Sequence, residues 1–82
     1  LAEAVAFAIR QRHLMETYLN KTGSTELLVG LPTDQDESGA NVVYYHPNGT
    51  VDDEARVELS SLCAIAIDTR YLRILQHAAF KS

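Results

Sequence analysis

Three sets of side chains in this 82-residue chain are of types that perform chemistry. The first lies in RVELSSLCAIAID, Arg56 to Asp68, which holds adjacent Ser60 and Ser61 and the only cysteine, Cys63. A hydroxyl or thiol nucleophile needs a base within hydrogen-bonding reach and donors for the developing oxyanion. No G-x-S-x-G elbow surrounds these residues. The stretch reads instead as a corner between two core strands: the serine hydroxyls bond turn backbone, and Cys63 faces inward. The second set is His13, His46 and His77, which are far apart and show neither H-x3-H nor C-x2-C spacing. No metal site and no cofactor are expected from them. Catalysis would require His46 or His77 beside Cys63 or a carboxylate, and no enzymatic activity is expected.

The third set is acidic. Asp34, Asp36 and Glu37 form one cluster, and Asp52, Asp53 and Glu54 another. Neither matches a calcium loop, whose oxygen ligands alternate over twelve positions around a central glycine. Such clusters are either solvated loop charge or a face that docks a basic protein surface, where charge sets specificity and on-rate. Adjacent Tyr44 and Tyr45 on a strand point to opposite faces, so one belongs to the core and the other can anchor a partner beside His46. The candidate partner-binding set is therefore Asp34, Asp36, Glu37, Tyr44, His46, Asp52, Asp53 and Glu54. Asn20-Lys-Thr and Asn48-Gly-Thr match the glycosylation sequon, but both read as turn chemistry.

The whole composition bounds these readings. The length allows one domain, and 46% apolar residues allow a packed core. A chain of this size buries only roughly 60–65% of its unfolded surface, which favours added stability from a partner or a second copy. A net charge of −4 argues against a general nucleic-acid or anionic-membrane binder. A lone cysteine excludes an internal disulfide and points to a reducing, cytoplasmic setting. No apolar run approaches the ~20 residues that span a bilayer. The opening LAEAVAFAI lacks a basic region and carries Glu3, unlike a signal peptide. The chain begins at Leu1, so a natural start is expected upstream.

The elements that must position these groups follow from periodicity. Residues 1–12 form a helix, rich in alanine, with Leu1, Val5, Ala8 and Ile9 on one face. Alternation predicts strands at about 13–19, 25–31, 41–46, 56–60 and 63–67. In the second, Leu27, Val29 and Leu31 share a face, and Gly30 marks a bulge or bend before Pro32 ends regular pairing. TDQDESGA is expected to be an exposed, mobile loop, and HPNG a turn. Cys63, Ile65 and Ile67 are placed on one face of the last strand. The segment 69–80 has two readings. As a helix it is capped by Asp68 or Thr69; as a strand Tyr71, Arg73 and Leu75 alternate with Leu72 and Ile74. The preferred reading is a strand through about 75 that then passes into helix.

A helix followed by short strands, with a one-turn break in VELSSLCAI before the last core strand, resembles the small Sm-like barrels. Gly23 and Gly30 in GSTELLVGL fall where the first Sm motif carries glycines, with Asp34 and Asn41 further on. The resemblance covers roughly residues 1–67. TDQDESGAN is too long for the Sm nucleotide pocket, and the glycine-bearing second motif is absent, so RNA binding is not implied. Two Sm-like organisations are similar: the acidic Rho-inhibitor (Rof) type, which binds a basic protein surface, and the WYL domain, whose opening AIRQRHLMETYLN resembles but whose tryptophan is lacking.

The expected fold is α+β: an N-terminal helix packed on a small, strongly bent antiparallel sheet, in an Sm-like barrel. The expected function is a non-enzymatic acidic module that binds another protein with a basic surface, with an uncovered sheet edge or the C-terminal segment favouring a homodimer. The alternative is a small-ligand or nucleic-acid sensor of the WYL type, which needs Arg56, Arg70 and Arg73 in one pocket.

Overall fold

The computed structural model describes residues 1–80. Helix α1, Ala2–Gln11, buries Val5 and Ala8. It ends where Arg12 takes a left-handed conformation with φ 51°, which turns the chain so that the amide of His13 reaches the carbonyl of Ala8. Five strands follow: β1 Met15–Lys21, β2 Ser24–Gln35, β3 Gly39–Tyr45, β4 Val51–Glu58 and β5 Leu62–Ala66. They form one antiparallel sheet in the order β4-β3-β2-β1-β5. A 3-10 turn, Leu59–Ser61, joins β4 to β5, and helix α2 is Arg70–Ala79.

This connectivity dictates the shape. β4 and β5 are the two edges of the sheet, four strand spacings apart, or ~19 Å if the sheet were flat. Only the three residues Leu59–Ser61 join them, and a 3-10 segment rises only ~2 Å per residue. The sheet therefore curls so that its edges approach, without a ladder between β4 and β5 among the described residues. It is an open, curled sheet rather than a hydrogen-bonded closed barrel. Gly30 permits part of the curl. A Cβ there would lie 2.8 Å from the carbonyl oxygen of Val43 and collide with the Val42 side chain, so only glycine allows β2 this close to β3.

Curling produces two cores. On the concave face, Val5 and Ala8 of α1 pack with Met15, Leu19, Ala40, Val42, Tyr44, Val57 and Leu62. On the convex face, Leu72 and Leu75 of α2 pack with Leu14 and the partly buried Val29, Leu31 and Tyr45. The expected pairing of Val29 with Leu31 thus occurs, but their face is the one that α2 covers. Gln76 locks α2 to the α1–β1 junction. Its Oε1 accepts from the Leu14 amide at 2.8 Å, and its Nε2 donates to the Arg12 carbonyl at 3.0 Å.

Several sequence expectations are corrected. The C-terminal segment is helical throughout 70–79, not a strand through 75. Thr69 Oγ1 accepts from the Leu72 amide at 3.1 Å, a helix N-cap, and the helical spacing puts Leu72 and Leu75 against the sheet. TDQDESGA is not a long loop. β2 continues to Gln35, and the turn is closed by Asp36, whose Oδ1 accepts from the amides of Ser38 and Gly39. Thr33, Asp34 and Gln35 tolerate a strand because β1 pairing stops at Gly30, leaving only β3 beside them. Likewise β4 begins at Val51, since its acidic start lies on an exposed edge. Cys63 is exposed rather than buried. Tyr18 pairs with Ala64 while Leu19 pairs with Leu62, so Cys63 is the extra residue of a β-bulge. The bulge resets the alternation and sends Leu62 and Ile65 inward.

Candidate functional site: an acidic cleft on the concave face

Because α1 covers only part of the concave face, a cleft of about 460 Å³ remains between β1–β2 and the β4 edge. Register determines what lines it. Leu19 opposes Glu26 and Thr17 opposes Leu28, so Glu26 continues the inward row of β2. Tyr44 opposes Asp53, Val42 opposes Ala55 and Ala40 opposes Val57, which makes Asp53, Ala55 and Val57 the inward row of β4. Leu19, Leu28, Tyr44, Ala55 and Val57 supply the apolar lining, and charged groups surround it.

Two consecutive carboxylates belong to this lining, although neighbours on a regular strand point apart. The reason is a second bulge. Tyr44 pairs with Asp53 and Tyr45 with Val51, leaving Asp52 as the extra residue. Both Asp52 and Asp53 consequently border the cleft. Glu54, on the outward row of β4, does not. A smaller groove of about 290 Å³ adjoins it, sharing Leu28, Tyr44 and Asp52 and extending over Leu27, Tyr45, Pro47 and Tyr71. Leu27 and Val51 near this end are 50% and 60% exposed.

The cleft is charged asymmetrically. Glu26, Asp52, Asp53 and Glu58 line it against Lys21 and Arg56, four anions to two cations. Both cations are engaged: Lys21 Nζ is 3.1 Å from Glu26, and Arg56 meets Asp36 at 2.8 Å and Glu58 at 2.9 Å. Asp53 accepts only from the neighbouring Glu54 amide among the described residues. Asp52 lies 3.5 Å from His46 Nε2, with both side chains about half exposed. The hydroxyl of Tyr44 is harder to ionise than an ordinary tyrosine, first because it is buried and then because Glu26 is nearby.

The eight sequence candidates thus separate. Tyr44, Asp52 and Asp53 come together at the cleft, with His46 on Asp52. Tyr44 is buried, forming floor rather than an exposed anchor; its neighbour Tyr45 is half-buried and packs edge-on against Phe80, with ring centroids 5.6 Å apart. Asp34 accepts from the Asn41 side chain at 2.7 Å, and Asp36 closes the β2–β3 turn. Arg56 above all, with the turn amides, holds the Asp36 carboxyl well below the usual carboxylate range. Asp36 and Glu37 lie at the Glu58 end of β4 and Asp52 at the other, so the two acidic clusters do not form one patch. Glu26 was missed. Every residue of β2 from 27 to 31 except Gly30 is apolar, so the pattern did not reveal which face turned inward.

The other chemical groups are dispersed. The Cys63 thiol meets Asn20 Oδ1 at 2.8 Å. No hydroxyl or thiol bonds to either member of the His46–Asp52 pair among the described residues. Arg56 borders the cleft, whereas Arg70 and Arg73 line a hollow on α2 with Ile74 and His77, so the three arginines of the sensor reading do not share one pocket. Among the described residues, no helix is long and apolar enough to cross a membrane. Comparison with protein-family models, curated proteins and solved structures finds no match.

Proposed function

We propose that this domain is a non-enzymatic interaction module of Sm-like architecture that binds a basic, apolar-anchored segment of another protein in the concave-face cleft. The Sm-like reading rests on the helix before β1, the strand order β4-β3-β2-β1-β5 and the short 3-10 turn between β4 and β5. The functional reading rests on one observation: an apolar-floored cleft whose cations are paired and whose Asp52 and Asp53 are open to solvent. An aliphatic stem carrying an ammonium or guanidinium group suits such a site, the stem on Leu28 and Tyr44 and the head at the carboxylates. The cation also gains from the tyrosine face. The sensor alternative retains only two of its three arginines in one place.

The test is fluorescence anisotropy with a labelled peptide of alternating lysine and leucine, against the same peptide with glutamate for lysine. Binding of the lysine peptide alone, weakened by salt and reduced about tenfold by Asp52→Asn with Asp53→Asn, is expected. Equal binding of the two peptides, or indifference to the double variant, would overturn the proposal.

A further inference from the structure

Helix α2 presents its outer face without a partner. Leu72 and Leu75 point into the sheet, so Arg70, Arg73, Ile74 and His77, at i, i+3, i+4 and i+7, form the opposite stripe. These four residues line a shallow hollow of about 510 Å³. Ile74 is 63% exposed at its centre. Arg70 has no carboxylate partner among the described residues, and Arg73 has only the solvated Asp68 at 3.3 Å. On a chain of net charge −4 this is a local basic–apolar surface.

The stripe is the chemical complement of the cleft. It offers cations flanking an isoleucine; the cleft offers carboxylates flanking an apolar floor. The eight helical residues from Arg70 to His77 extend ~10 Å, within the ~17 Å between Asp53 and Glu58 along β4. Within one molecule the two cannot meet, because α2 packs on the convex face and the cleft opens on the concave face. We infer that a second copy of this chain is an occupant of the cleft: the Arg70/Arg73/Ile74 stripe of one copy docks against Asp52 and Asp53 of the next.

This inference rests on the proposed function of the cleft and adds regulation to it. The contact is heterologous, so each copy retains one free stripe and one free cleft, and growth ends in a ring only if the rotation closes. One helix face buries less than a standard stable interface, which makes the association weak and salt-sensitive. A basic partner and a second copy compete for the same carboxylates. Self-association therefore covers the cleft at high concentration, and the partner dissolves the assembly.

Sedimentation velocity on the full chain tests this with two charge-reversed proteins, Arg70→Glu with Arg73→Glu and Asp52→Lys with Asp53→Lys. All four positions are exposed, and circular dichroism checks that both variants fold. The wild type is expected to gain mass between micromolar and millimolar concentration at low salt and to lose it at high salt. Each variant alone is expected to associate about tenfold more weakly, the scale of lost and reversed surface ion pairs. Their equimolar mixture should regain association, since the arginine stripe fits the aspartate cleft and the glutamate stripe fits the lysine cleft. A monomeric wild type at millimolar concentration, arginine variants that associate like wild type, or a mixture that stays monomeric would each overturn the inference. Lysine-peptide binding separates the two proposals. If wild type binds the peptide yet stays monomeric, only this inference fails; if wild type binds no peptide, the cleft reading fails.

Discussion

Replacing Gln76 with alanine removes both ends of the clamp between α2 and the α1–β1 junction. The Leu14 amide loses its acceptor at 2.8 Å, and the Arg12 carbonyl loses its donor at 3.0 Å. These losses are unequal. Arg12 is exposed, so its carbonyl regains water at little cost. Leu14 is fully buried, and a buried donor left unpaired costs about 1–3 kcal/mol. Because Gln76 itself is only half-buried, its removal admits some water, placing the expected loss at about 1–2 kcal/mol. A domain of this length has ~4–12 kcal/mol in total, and each kcal/mol corresponds to a Tm shift of about 4–8 °C. Urea unfolding followed by far-ultraviolet circular dichroism should show a lower midpoint with an unchanged m-value. Gln76→Glu adds a directional control. Glutamate keeps the acceptor for Leu14 but at neutral pH turns a carboxylate toward the Arg12 carbonyl. Its folded-state pKa is thereby raised, so the variant should regain stability as the pH falls and the carboxyl becomes a donor. A loss below about 0.5 kcal/mol for Gln76→Ala, the range of an ordinary surface substitution, would refute the clamp.

Two further predictions concern residues whose roles the sequence misjudged. Asp36 has a depressed folded-state pKa, so its stabilising effect is complete above the unfolded value of about 4 and is lost as the pH falls below it. The stability difference between wild type and Asp36→Asn should therefore be constant near neutrality and shrink in acid, read from urea midpoints at successive pH values; a difference growing in acid would contradict the assignment. Cys63 should react with a chromogenic disulfide reagent in the folded protein at a rate close to that in urea, whereas protection until unfolding would mean that the bulge does not expose it.

The local parts of this fold were legible because their causes are local. Alanine propensity with one apolar stripe marks α1. Val42 and Tyr44 against Val43 and Tyr45 mark β3, and the Leu59–Ser61 break marks the corner between two edges. The misreadings have equally definite causes. The leucines of β2 lie on both faces because the convex side carries a second core, so alternation could not tell inside from outside. The apolar residues of α2 fit either period, and the Thr69 cap tips the segment to helix. The Cys63 bulge inserts one residue that no pattern announces.

The sequence by itself determined the composition of the cleft's chemistry: excess carboxylate, tyrosines near one turn, no cysteine or histidine cluster of metal-ligand spacing. Period, capping and turn residues act over a few positions, and they set the order of helix and strands. Only the tertiary structure decided that Glu26, Asp52, Asp53 and Glu58 share one concavity while Asp34 and Asp36 serve the β2–β3 end. That outcome depends on the register of four strands, on the Asp52 bulge and on the curl required by a three-residue connection between opposite edges. Each is a relation between distant segments, set by which rows of side chains can be buried together.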